Sequence, residues 1–316
     1  MIFKKPLFWN LKKPNFFSYL LIPFTIPLII NNLLIKTQKK TKNLKIKSVC
    51  VGNIYLGGTG KTPLAIRLYE IILKMGFKAV TAKKFYRNQI DEQALLQKKT
   101  QSIISKQRID AINKAADQGN DVIIFDDGLQ ERRVDYDLKI VCFKKKNWIG
   151  NGQLIPSGPL REKIESLKKY DVVFLNGKED NSDYIRNKIQ KINPQIKIFN
   201  TYYKIKNSSK FDISANYLIF SGIGDPSSFK EILLDNNVKV TKEIIYPDHY
   251  NYKKSDIKKI INEAKKLNAN ILTTEKDFVK ISNYDTEKVN FLEIELKIYE
   301  EESFIKFIYE KLKEKN

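Results

Sequence analysis

The stretch that most constrains this chain is residues 46–62, IKSVCVGNIYLGGTGKT. Residues 46–52 are mostly apolar and read as a strand. Residues 62–75 place Leu64, Ile66, Leu68, Ile71, Ile72 and Met75 at helical spacing, and Gly76 closes the pattern as a C-cap. Between them lies a loop whose glycines Gly57, Gly58 and Gly60 let backbone N–H groups converge on phosphate oxygens with no Cβ in the way. The following helix points its positive end at the same place. Strand, glycine loop and helix in this order define a phosphate-binding loop at residues 55–62. It implies a bound nucleoside triphosphate, expected to be ATP with Mg²⁺. The expected nucleotide contacts are Tyr55, Leu56, Gly57, Gly58, Thr59, Gly60, Lys61 and Thr62. Lys61 would reach the β- and γ-phosphates and act in the chemistry, and Thr62 would ligate the metal. Tyr55 stands where the general pattern G-x-x-x-x-G-K-[ST] has glycine.

A second element supports the first. Residues 122–127, VIIFDD, are four apolar residues ending in two carboxylates, a Walker B-type strand. A carboxylate at the C-terminal end of a parallel strand faces the crevice where ligands bind, so Asp126 or Asp127 is expected at the metal. Further apolar runs at 79–82, 138–143 and 172–175 alternate with helical patterns such as 109–117. Strands apolar on both faces imply a parallel sheet covered on both sides. Another α/β series follows, with strands at 217–220, 238–245 and 270–273 and helices at 227–234, 255–267 and 303–312. The polar patch KNSSK at 206–210 reads as the boundary. The expected layout is thus a segment at 1–40, a P-loop domain at 41–205 and a smaller α/β domain at 206–316.

Residues 16–30, FFSYLLIPFTIPLII, are apolar, with Lys4, Lys5, Lys12 and Lys13 before them and Lys36, Lys39 and Lys40 after. The run is shorter than the roughly 20 residues of a spanning helix, and Pro23 and Pro27 disturb a continuous one. No small-residue cleavage site follows it. An interfacial anchor, a helix packed on the body and a true span remain open, and the anchor is the expectation because basic flanks suit anionic headgroups. Residues 36–45 read as a basic linker. The formal net charge is +21. That balance fits an anionic partner such as nucleic acid, a membrane surface or a phosphorylated substrate, and equally a composition drifted toward Lys, Ile and Asn. No helix-turn-helix, OB or RNP pattern accompanies it, so nucleic acid is not expected. Cys50 and Cys142 sit inside apolar runs and read as core residues.

Beyond these features, the chain resembles the tetraacyldisaccharide 4′-kinases of lipid A biosynthesis. The resemblance runs through VGNIYLGGTGKTP (51–63), DDGLQERR (126–133), GNGQLIPSGPLRE (150–162), SGIGDPSSF (221–229), PDHY (247–250) and TTEKD (273–277). It accommodates Tyr55, since the family's loop also lacks the first glycine. It implies transfer of the ATP γ-phosphate to the 4′-hydroxyl of an acylated disaccharide 1-phosphate, giving the lipid IV-A precursor. It also implies two α/β domains around a cleft, the smaller one closing it, and a place on the cytoplasmic face of the inner membrane; no obligate protein partner is expected. By position, Asp91 in IDEQALL matches the family's proposed base and His249 in PDHY matches the histidine paired with it. Arg161 and Glu162 match its phosphate-site and Mg²⁺-site pair. Three departures stand out. Ile90 replaces the glycine of a G-D-E element, Glu131 stands where the family has histidine, and AKKFYRN (82–88) replaces an S-R-G-Y-G-type turn, leaving Lys83 or Arg87 to supply positive charge. Residues 274–277 also read as a plain capping arrangement, Thr-x-x-Asp. The rival readings are a P-loop NTPase working as a switch or binding protein without a lipid acceptor, and a nucleic-acid-dependent ATPase.

Overall fold

The computed structural model describes residues 5–37, 45–87, 89–131, 133–177, 182–284 and 286–314. Most of the linker expected at 36–45 lies outside these residues, as do Lys4, Lys39, Lys40, Asn88 and Arg132. The larger sheet contains β1 (Lys47–Gly52), β2 (Ala79–Lys84), β3 (Ser102–Ser105), β4 (Val122–Asp126), β5 (Leu138–Lys144), β6 (Val172–Asn176) and β7 (Lys197–Ile205). The smaller sheet contains β8 (Asn216–Ser221), β9 (Lys239–Ile245), β10 (Asn270–Thr274) and β11 (Val289–Leu292), and β12 (Ile294–Ile298) returns to the larger one. Their orders are β12-β7-β6-β5-β1-β4-β2-β3 and β11-β10-β8-β9. Strands β1 to β7 pair in parallel, as do β8 to β11. The apolar strand sequences account for this: β4 and β6 are buried along their whole length, as parallel strands covered on both faces must be.

Two compact units result. One holds the described residues of Lys5–Phe85, Lys99–Tyr202 and Leu296–Asn316; the other holds those of Tyr86–Lys98 and Tyr203–Glu295. The expected division at 205/206 differs from this in two places. The helix Glu301–Lys313 belongs to the P-loop unit, where Phe304 packs on Phe174 and Phe199 at ring distances of 5.0 Å. The helix Ile90–Lys99, which no apolar periodicity announced, begins within the stretch 86–98 of the smaller unit. Its buried side chains are Asp91, Gln93 and Leu96, while Ile90 is exposed, so hydrophobic spacing could not reveal it.

In the P-loop unit the N-terminal segment folds as a helix (Phe16–Leu21), a 3₁₀ turn (Ile22–Thr25) and a second helix (Ile26–Thr37). Pro23 falls in the 3₁₀ turn, where its missing N–H costs no α-helical bond. Residues Phe16–Leu34 keep most of their apolar surface open to solvent, while Leu28 and Ile29 pack on the core of this unit. Both cysteines are free and buried, and burial pushes the Cys50 thiol up to about 12, so these thiols are inert core groups.

Candidate functional site

The phosphate loop leaves the C-terminal end of β1 and enters the helix Lys61–Lys74. Gly60 caps that helix at φ 93°, a left-handed conformation that a side chain would strain. Asn53 braces the loop from inside: its Nδ2 donates to Gly57 O and to Thr59 Oγ1, each at 3.1 Å. Because β4 runs beside β1 with Val51 opposite Asp126, the Walker-type aspartate comes level with the loop. Thr62 Oγ1 donates to Asp126 Oδ2 at 2.7 Å. Lys83, on β2 at the other side of β4, donates to the same oxygen at 2.7 Å, and both side chains are almost wholly buried. The second oxygen, Asp126 Oδ1, is buried with no hydrogen-bond partner among the described residues.

That orphaned oxygen is the observation that tests the metal. A buried carboxylate oxygen without a donor suits a hard cation, and a threonine hydroxyl beside it completes an oxygen pair of the kind Mg²⁺ takes. No group of three or more His, Cys, Asp or Glu side chains forms a metal cluster among the described residues. Asp127 is placed differently. Its backbone is left-handed at φ 64°, and its carboxylate lies 3.8 Å from Lys61 Nζ and 3.4 Å from Arg161 Nη1.

Two of the expected nucleotide contacts change meaning. The Tyr55 side chain is buried in the core beside Leu160 and Trp148, and its hydroxyl meets Lys5 Nζ and Asn10 Oδ1. The Leu56 N–H is spent on Pro159 O at 2.8 Å. Both residues moor the loop to the segment 150–162 instead of offering groups to a ligand. Glu162 is also more committed than its expected metal role implies. Its carboxylate accepts from Gln130 Nε2 (3.1 Å), Tyr170 OH (2.9 Å) and Lys169 Nζ (2.8 Å). Gln130, to which sequence reasoning gave no role, is the joint of this region: it also donates to Asn53 O and accepts from Arg161 Nη1. Glu131, in the place of the family's histidine, accepts from Arg108 Nη1 at 2.9 Å, and Arg108 also donates to the Asp127 carbonyl.

The smaller unit carries a second cluster. Asp91 and Glu92 occupy the first turn of Ile90–Lys99, where the helix dipole favours negative charge. His249 has φ 58°, which turns its ring toward Asp91: Nδ1 is 2.9 and 3.1 Å from the two carboxylate oxygens. Lys280 Nζ lies 3.1 Å and Lys276 Nζ 3.4 Å from Asp91 Oδ2. Burial works to raise the Asp91 carboxyl, but the His249 hydrogen bond and the two lysine charges outweigh it and hold it well below the usual carboxylate range. An ionised carboxylate can only accept, so Nδ1 carries the proton and Nε2 of a neutral ring is the basic atom. Burial likewise opposes the charge of Lys276, yet Glu92, Asp91 and Asp248 raise it above the ordinary lysine value. Both lysines come from the helix Glu275–Ile281, which Thr274 caps by accepting from the Asp277 N–H. The capping expectation therefore describes the helix start, while the same short helix delivers two cations to Asp91, Lys276 from within the motif and Lys280 beyond it.

A phosphate loop on the central strand of a parallel sheet, with a Walker-type aspartate level with it, defines a P-loop NTPase-like α/β protein. Comparison with known proteins narrows this. The family model described as tetraacyldisaccharide-1-P 4′-kinase (LpxK) matches residues 19–313. The chain is 49% identical to the tetraacyldisaccharide 4′-kinase of Pelagibacter ubique (strain HTCC1062) over 316 residues, covering the whole of both chains. It is 33% identical to the protein of that name from Rickettsia typhi (strain ATCC VR-144 / Wilmington) over 93% of this chain and 94% of that one. A crystal structure of LpxK from Aquifex aeolicus in complex with ATP shares the fold, with a TM-score of 0.68 at 23% identity over 93% of this chain and 99% of that one. The chain belongs to the tetraacyldisaccharide-1-P 4′-kinase family.

Proposed function

We propose that this protein transfers the γ-phosphate of ATP to the 4′-hydroxyl of a tetraacylated disaccharide 1-phosphate, working from the cytoplasmic face of the inner membrane. The observation that carries this reading is the bond from the P-loop hydroxyl of Thr62 to Asp126, whose other oxygen is left for a cation, in a chain of this kinase family. Phosphoryl transfer asks the protein for charge neutralisation and in-line positioning more than for covalent chemistry. Lys61 and the loop amides answer the negative charge of the β- and γ-phosphates, and Arg161 adds a planar donor pair. Mg²⁺, held by Thr62 and Asp126, supplies further neutralisation when bound. Asp127 orients Lys61 and Arg161, and Glu162 supports Arg161 through Gln130.

The acceptor hydroxyl must lose a proton. Asp91 is expected as its base, but its neighbours hold it ionised at any working pH, which makes it a weak proton acceptor. In our reading His249 takes the proton at Nε2 and Asp91 fixes the ring and its tautomer through Nδ1. Glu92 and Asp248, 3.9 and 3.8 Å from Nε2, are near enough to stabilise charge arriving there. The exposed apolar side of residues 16–34, with Phe16, Phe17, Leu20 and Phe24 open to solvent, suits the acyl boundary of a bilayer and gives the enzyme access to a lipid acceptor. Peripheral attachment is the form we propose.

The test is incubation with γ-labelled ATP and the disaccharide 1-phosphate in detergent. Label is expected in the lipid fraction. Release of free phosphate with no lipid labelling would overturn the kinase reading and leave the NTPase alternative.

A further inference from the structure

The first part of the N-terminal segment, residues 16–25, is built inside out for a helix resting on a protein, whereas Leu28 and Ile29 beyond it pack on the core. Ser18 is 0% exposed and Thr25 4%, whereas Phe16 is 75% and Phe24 66% exposed. Thr25 Oγ1 donates to Ile22 O within its own turn, whereas the contacts of Ser18 lie on one loop. Asn151 Nδ2 donates to Ser18 Oγ (2.9 Å) and Ser157 Oγ donates to Ser18 O (2.6 Å). Just upstream, Trp9 Nε1 donates to Pro156 O (3.0 Å), and the Asn151 N–H donates back to Trp9 O (3.1 Å). In the second helix of the segment, Asn32 Nδ2 donates to Arg161 O (2.9 Å). Every one of these loop partners falls in the motif at 150–162. Gly150 follows from the same contact, since a Cβ there would collide with Trp9 O, and within the loop one on Gly158 would collide with Asn151 Oδ1.

The other side of that loop is bonded to the phosphate loop. Leu56 N–H donates to Pro159 O (2.8 Å), Arg161 N–H donates to Ile54 O (2.7 Å), and Tyr55 and Leu160 form a β-bridge. The segment 150–162 is therefore a layer between the N-terminal helices and the nucleotide site, and it carries Arg161 next to its end. Nothing in the packing of an apolar anchor needs an asparagine turned inward. Its amide stabilises the carbonyl of the one loop residue whose side chain reaches both Asp127 and Gln130.

We propose that the N-terminal helix is a positioning element of the phosphate site, and that Asn32 is a positioning residue that fixes Arg161 for the phosphates of ATP. The inference rests on the reading of Arg161 as a phosphate contact. Asn32 holds the peptide at Arg161, the peptide sets where the guanidinium starts, and Asp127 with Gln130 sets where it ends. An anchor that only attached the enzyme to lipid would leave KM for ATP untouched when its inward amide was altered.

A double-mutant cycle on the full-length enzyme tests this, with kcat and KM for MgATP measured at saturating lipid acceptor in detergent. Asn32→Ala is expected to raise KM for ATP about 3- to 10-fold, the range of one lost hydrogen bond. Asn32→Asp, of the same shape but unable to donate, is expected to match it and guards against a folding artefact of the alanine variant. In an Arg161→Ala background neither change is expected to weaken ATP use further. Additive losses in the double variant, or a wild-type KM for both Asn32 variants, would overturn the proposal while leaving Arg161 as a phosphate contact. A wild-type KM for Arg161→Ala alone would instead remove the phosphate role of Arg161, and the proposal with it.

Discussion

The phosphate site and the Asp91 cluster solve similar electrostatic problems with different materials. At the phosphate site most of the apparatus is backbone: a contiguous loop, a helix start at Gly60, and the end of a neighbouring strand. At Asp91 there is no backbone device for a ligand. Side chains from Ile90–Lys99, from the turn at 247–250 and from Glu275–Ile281 neutralise one another. A backbone site concentrates its vulnerability in a few side chains that touch the ligand. A side-chain network spreads it, so that its members act as a unit.

The largest expected effect comes from the backbone site's principal charge. Lys61→Ala should lower kcat by about 10³-fold or more, read in the labelled-lipid assay, since it removes charge aimed at the transferring group. A loss under tenfold would mean that the loop amides suffice, and the contrast with the side-chain site would be sharper than argued. Next, His249→Ala and Asp91→Asn should each reduce kcat by about 10²-fold or more. The double variant should be no worse than the poorer single one, as expected of residues that act together. Independent losses would show that the cluster is not a unit.

A smaller effect separates the sites by pH. The folded Asp91 carboxyl lies below its ordinary value of 3.8. The stability this gives is present in full above that value and is lost as the pH falls through it toward the depressed one. Lys280→Met removes one source of the depression, so acid unfolding of the smaller unit should begin at higher pH than in the wild type, followed by circular dichroism. An unchanged acid transition would show that Lys280 contributes nothing to the ionised state. The smallest effect is local. Thr274→Ala removes the N-cap of Glu275–Ile281 and should cost about 1 kcal/mol in denaturant unfolding, with KM for ATP unchanged.

Legibility followed the same division. The strand, loop and helix at 46–75 could be read because the loop's function lies in contiguous residues whose types are dictated by backbone geometry. The pair Asp126 and Asp127 could be read because an apolar strand ended in it, but that Asp126 is the one bonded to Thr62 depended on the pairing of β1 with β4. Lys83 could be named only as a source of charge; that its ammonium would lie buried against Asp126 depended on β2 pairing with β4. Tyr55 and Leu56 sat inside a phosphate-loop pattern, yet the segment 150–162 claimed the Leu56 amide and the core claimed the tyrosine. Lys276 and Lys280 were two among many lysines in a strongly basic chain. Only the path of one short helix made them partners of Asp91.

The amino-acid sequence by itself determined the parallel α/β layers, the phosphate loop, the kinase family and the apolar character of residues 16–30. Each of these is a local matter of periodicity, glycine placement or an ordered motif. The tertiary structure decided which side of an element faces inward where hydrophobic spacing says the opposite. The helix at 90–99 buries Asp91 and Gln93, and the N-terminal segment buries Ser18 and Thr25 while presenting its phenylalanines to solvent. A buried polar group needs a partner: Thr25 and Gln93 find one nearby in the chain, at Ile22 O and Tyr86 O, but the inward faces of Asp91 and Ser18 could be assigned only once His249, Lys280, Asn151 and Ser157 had been folded into place.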